Sequence, residues 1–123
     1  MAALASALAV YKLSEAKRQK VFQSHGIGNA AARNYRVHHV VAWNASQARP
    51  AQRILGLVGI GVHDPINLMP LRTTLHQGLH TRAYYNAVND DMNRAYGTGG
   101  GRPAVEAALV AIKARLFATG TYP

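Results

Sequence analysis

Six histidines, at positions 25, 38, 39, 63, 76 and 80, are the residues of this chain best suited to carry chemistry. His76 and His80 stand four apart in a helical pattern, a spacing that projects two imidazoles from one helix face about one turn apart. Two rings so placed can meet on one metal ion. Gln77, Gly78 and Leu79 lie between them, so the glutamate that turns this spacing into a metalloprotease motif is missing. His38 and His39 form a doublet inside residues 35–43, a run rich in β-branched and aromatic side chains that reads as a strand. Strand side chains alternate, so the two rings face opposite ways unless the strand bends or bulges between them. An imidazole among Val, Tyr and Trp is costly unless its nitrogens are used. The plainer alternative is a solvated helix pair, with one doublet histidine packed and the other exposed. The chain has no cysteine, which excludes disulfides, thiol catalysis and Cys-ligated zinc.

A small set of elements has to position these residues. A 123-residue chain with 49% hydrophobic side chains is sized for one core, so a single domain spanning 1–123 is expected. An amphipathic helix is predicted over about 3–23, with Leu4, Leu8, Tyr11 and Phe22 on one side and Lys12, Lys17, Arg18 and Lys20 on the other. Gly26 and Gly28 end it, and the strand bearing the doublet follows. A second helix is predicted over 45–57, with Ile54, Leu55 and Val58 inward and Pro50 in its first turn. Asp64 and Pro65 then supply a turn, and a short strand over 66–69 follows. Thr74 and Gln77 match a capping box that starts a helix over about 75–96. Four glycines between 97 and 101 break the chain before a last helix over about 103–118, with Val105, Leu109, Ile112 and Leu116 on one stripe. The expected class is α+β, mostly α.

Lys and Arg outnumber Asp and Glu by 14 to 5, for a formal net charge of +9, a field that draws in polyanions. Nucleic acid is the first candidate partner, although composition alone does not separate it from an acidic protein or anionic lipid. The apolar start of the chain has no Lys or Arg before it, so it reads as helix rather than signal peptide. No apolar run approaches the roughly 18 residues of a membrane span, and membrane insertion is not expected.

The order of these segments, with His38 and His39 in a strand, Asn67 at a second strand and His76-x-x-x-His80 on a helix, resembles the His-Asn-His (ββα-metal) endonuclease superfamily and the nuclease domain of DNase colicins. The chain is more closely similar to the AHH family of bacterial polymorphic-toxin nucleases. The similarity runs over about 36–96, through residues 37–42 (VHHVVA), Arg53, Ile54 and Leu55 in the inserted helix, residues 67–70 (NLMP) and residues 80–85 (HTRAYY). Val37 stands where the signature has Ala, and Leu68 follows Asn67 where Gly is common. Neither position supplies a ligand or a base.

The resemblance implies a ββα-metal core of two strands and a helix at 36–96, with an inserted helix and flanking helices. It implies one divalent ion held by His38, His76 and His80, with His39 as general base and Asn67 tying the strands together and holding His39. Zn²⁺ and Ni²⁺ suit three imidazoles better than Mg²⁺ does, and the identity of the ion stays open. DNA cleavage with little sequence preference is implied, giving a 5′-phosphate and a 3′-hydroxyl. Arg36, Arg72 and Arg82 flank the ligands and are candidates for backbone phosphates. A toxin domain of a larger secreted effector, acting in the target-cell cytoplasm and neutralised by an acidic immunity protein, is the implied setting. The competing reading is a non-catalytic nucleic-acid-binding module with a structural zinc site, closed by His63 or Asp64 as fourth ligand. A membrane-active fragment built on the first helix is a third, and it leaves the central histidines without a role.

Overall fold

A computed structural model describes residues 12–123. Helix α1 spans Glu15–Ser24 and α2 spans Asn29–Ala32, before strand β1 at Tyr35–His39. A 3₁₀ turn at Ser46–Ala48 leads into α3 at Arg49–Leu57, and a second 3₁₀ turn at Pro65–Asn67 into β2 at Leu68–Arg72. Helices α4 (Thr73–Leu79), α5 (Arg82–Gly97) and α6 (Gly101–Thr119) complete the chain. The expected α+β, mostly α class holds, as does the order of strand, inserted helix, strand and helix.

β1 and β2 form an antiparallel ribbon in unbroken register, from Tyr35 opposite Arg72 to His39 opposite Leu68. A two-stranded ribbon has only edges, which is where Pro70, opposite Val37, is tolerated without an N–H. Alternation sorts the residues between two apolar clusters. Met69 and Leu71 join the main core, built from α3, α5 and α6 through Leu55, Val88, Met92 and the stripe Val105, Leu109, Ile112 and Leu116. Val37 and Leu68 pack on the other side with Leu13, Val21 and Phe22 of the α1 region.

Several boundaries differ from expectation. Residues 12–14 are not helical, and Ser14 caps α1 by accepting from the Lys17 N–H at 3.3 Å, so the helix starts at Glu15. The predicted apolar positions Leu4, Leu8 and Tyr11 lie outside the described residues. The second strand starts at Leu68 and runs to Arg72 rather than covering 66–69, because Asp64 caps a 3₁₀ turn through the Ile66 N–H and holds residues 65–67 out of the ladder. The expected capping box is not formed. Helix α4 starts two residues earlier, directly off β2, with the Thr73 N–H donating to the Asn34 carbonyl at 2.9 Å.

The predicted helix over 75–96 is two helices. Leu79, His80 and Thr81 form an inverse γ-turn, with His80 at φ −78° and ψ 68° and the Thr81 N–H donating to the Leu79 carbonyl at 2.8 Å. Gly78 weakens the helix before the break, and the Thr81 hydroxyl restarts it by capping the Tyr84 N–H at 3.2 Å. Helical spacing over this stretch therefore carried across an interruption.

Candidate active site

The site begins at the end of the ribbon. With the register continuous, His38 and His39 point to opposite faces, with no bulge to bring them together. His38 is fully buried on the core face. The Tyr84 hydroxyl donates its one hydrogen to the Val40 carbonyl at 2.7 Å, so it accepts from His38 Nε2–H, also at 2.7 Å. Burial raises the Tyr84 phenol well above its ordinary range, which keeps that hydrogen in place. His38 Nδ1 is then left unprotonated, buried and without a hydrogen-bond partner.

The γ-turn places His80 against His76 from the last turn of α4. Their Nε2 atoms lie 3.1 Å apart, and His80 Nδ1 meets the Tyr85 hydroxyl at 3.3 Å. Two nitrogens bound to one tetrahedral ion at about 2.05 Å sit about 3.3 Å apart, so this pair is already at ligand spacing. One ring nitrogen from each of His38, His76 and His80 lies within 4.8 Å of the other two. All three rings are held below the ordinary imidazole range, first by burial; neighbouring histidines push His38 and His76 further down, and Arg36 also acts on His76. Neutral rings with an orphaned buried nitrogen among them are what a divalent ion needs, and the three residues fit one. Tyr84 and Tyr85 sit behind the triad, orienting His38 and His80.

His39, on the opposite face, is half-buried, and its Nε2 meets His63 Nδ1 at 2.9 Å. Burial, then His63 and Arg18, bring it down to about 3, so it is a neutral base at neutral pH. Asn67 makes no contact toward the cleft. Fully buried, it accepts the Val41 N–H at 2.9 Å through Oδ1 and donates to the Val41 and Val62 carbonyls at 3.0 and 2.8 Å. Its backbone carbonyl takes the Val40 N–H at 2.9 Å. One side chain thus ties the end of β1 to the loop that carries His63.

His39, His76 and His80 open into one cleft of about 260 Å³ with Arg18, Arg36 and Tyr85 on its walls. Lys12, Leu13, Arg18 and Arg36 also line an adjoining groove with Arg33 and Glu15, the last 3.7 Å from Arg18. Of the three arginines singled out by sequence, only Arg36 lines the cleft. Arg72 lies over the Tyr35 ring at 5.7 Å, and Arg82 is exposed in the first turn of α5. Lys12 and Arg18 were not anticipated at the cleft, because they arrive from a different part of the chain. The same holds for the link between His63 and His39, which no spacing announces. His63 and Asp64, the candidate closing ligands, are engaged elsewhere, His63 with His39 and Asp64 in its turn and with Arg102 at 3.7 Å.

No curated protein and no solved structure matches the chain. The family model of AHH, a nuclease family of the HNH/ENDO VII superfamily with a conserved Ala-His-His, matches residues 14–114. That span takes in all the histidines of the cleft together with α1 and most of α6, and the chain belongs to the AHH nuclease family.

Proposed function

We propose that this nuclease is a metal-dependent endonuclease that hydrolyses DNA phosphodiester bonds with little sequence preference. The observation that carries the reading is the convergence of His38, His76 and His80 beneath a cleft on which a separate histidine, His39, also opens. The triad would hold one divalent ion, which supplies Lewis-acid stabilisation of charge on the phosphate when bound. His39 takes a proton from the attacking water as the new bond to phosphorus forms and the bond to the 3′ oxygen breaks; the departing oxygen takes a proton from solvent, leaving a 5′-phosphate and a 3′-hydroxyl. Arg18 and Arg36 draw the phosphate backbone into the cleft, and backbone contacts carry no sequence information. Asn67 is a positioning residue that keeps His39 in place.

The net charge of +9 and the basic cleft also suit an acidic immunity protein, as in the polymorphic-toxin setting that the sequence resemblance implies. In that setting the chain is the toxin domain of a secreted effector acting inside a target cell.

The test is supercoiled-plasmid cleavage by purified protein with EDTA, then with Zn²⁺, Ni²⁺, Mn²⁺ or Mg²⁺ restored, beside His39→Ala. Metal-dependent nicking that His39→Ala abolishes while zinc binding persists is the expected result. A folded, metal-loaded protein that binds the plasmid and leaves it intact with every ion overturns DNA cleavage, and RNA is the next substrate to try.

A further inference from the structure

His63 belongs neither to the triad nor to the motif by which the family is recognised. Its environment is nonetheless built. The loop before it is pinned at Val62 by Asn67 and at Gly59 by Arg102, whose Nη1 donates to the Gly59 carbonyl at 2.9 Å. The Trp43 ring lies 5.8 Å from the His63 ring, and the His39 ring 5.1 Å away at 67°. On its other side His63 lines a separate, mostly apolar cavity with Val21, Pro65 and Leu68. Two distant segments, the end of β1 and the 59–64 loop, are thus held so that one hydrogen bond joins His39 Nε2 to His63 Nδ1 at 2.9 Å.

A neutral imidazole carries one proton, on one nitrogen or the other, and the hydrogen bond made by one nitrogen decides the state of its partner. If His63 Nδ1 donates, His39 keeps its proton on Nδ1 and has no free lone pair to offer the cleft. If His63 Nδ1 accepts, His39 is protonated on Nε2 and its Nδ1 is the free base. Only the second arrangement lets His39 accept a proton from water while keeping its bond to His63.

We propose that His63 is the positioning residue of His39, accepting the Nε2–H hydrogen bond so that His39 Nδ1 is the unprotonated nitrogen offered to the attacking water. The inference rests on the reading of His39 as the base. It also gives the buried Asn67 a specific task, because Asn67 sets the distance between Val41 and Val62 and so between the two histidines.

The experiment is ¹⁵N long-range imidazole spectroscopy on zinc-loaded protein, with steady-state cleavage alongside. Wild-type protein should show His39 protonated on Nε2, whereas an Nδ1–H tautomer overturns the proposal. His63→Ala should lose that single tautomer and lower kcat by about 10–100-fold, with KM and zinc affinity held. His63→Asn, whose Oδ1 takes the place of Nδ1, should recover most of the loss. Full kcat with an unchanged His39 tautomer in His63→Ala overturns the proposal. Should His63→Ala fail to fold, the wild-type spectrum and His63→Asn decide. A protein with the expected tautomer that cleaves no nucleic acid keeps the pair and refutes the nuclease mechanism instead.

Discussion

On the core face of the ribbon, His38 is fully buried, its Nε2 held by Tyr84 and its Nδ1 directed to no protein partner. On the opposite face, one residue along, His39 is half-buried and held through the same ring atom by His63. In both cases a hydrogen bond occupies Nε2 and leaves Nδ1 for other work. What differs is the surroundings. The His38 ring, its Nδ1 buried, lies beside two further imidazoles, which suits a ligand, whereas His39 borders an open cleft, which suits a base. Strand alternation alone separates the two roles.

The hardest test of this division is His39→Ala, expected to cut cleavage by about 10²–10⁴-fold, the usual share of a general base, while zinc affinity measured by calorimetry stays unchanged. A comparable fall in zinc affinity would erase the distinction between the two faces. Asn67→Ala should act next most strongly, and on both sides together. It leaves the Val41 N–H and the Val41 and Val62 carbonyls without their side-chain partner, at a cost of about 3 kcal/mol in denaturant unfolding. Its activity should fall further than the unfolded fraction explains.

Tyr84→Phe is specific to the core face. Zinc affinity should drop about 10–100-fold, because the His38 ring loses the acceptor that fixes its proton on Nε2. An unchanged affinity would show that packing alone orients the ring.

The smallest effect is on the pH dependence of the metal-free protein. In the folded state both histidines are held below the ordinary value of 6.5, His39 at about 3, so below pH 6.5 the unfolded chain binds protons that the native state refuses. Stability is then flat above about pH 7 and declines as pH falls below 6.5, by at most about 1.4 kcal/mol per pH unit for each group. Thermal unfolding from pH 7 to 5 checks this, and Ala at either position should flatten the decline by one group's share.

The sequence by itself determined the parts of this protein that depend on local pattern. The stripe Val105, Leu109, Ile112 and Leu116 is buried as its spacing requires, since a helical period is a property of neighbouring residues. The order of strand, inserted helix, strand and helix could be read for the same reason, whereas the candidate triad was implied by the family resemblance those segments carry and not by spacing alone. Tertiary structure alone decided the rest. Whether Thr74 or the end of β2 starts α4 depends on the Asn34 carbonyl, 39 residues away from Thr73 by subtraction of their numbers. The break at His80 depends on a competition between Gly78 and the Thr81 cap that periodicity does not register. The assignment of Tyr84 to His38 and of His63 to His39 spans 46 and 24 residues of chain. A hydrogen bond between side chains so far apart leaves no spacing signal, because its geometry is set by how the ribbon packs against α1 and α4 and by the clamp that Asn67 places across its end.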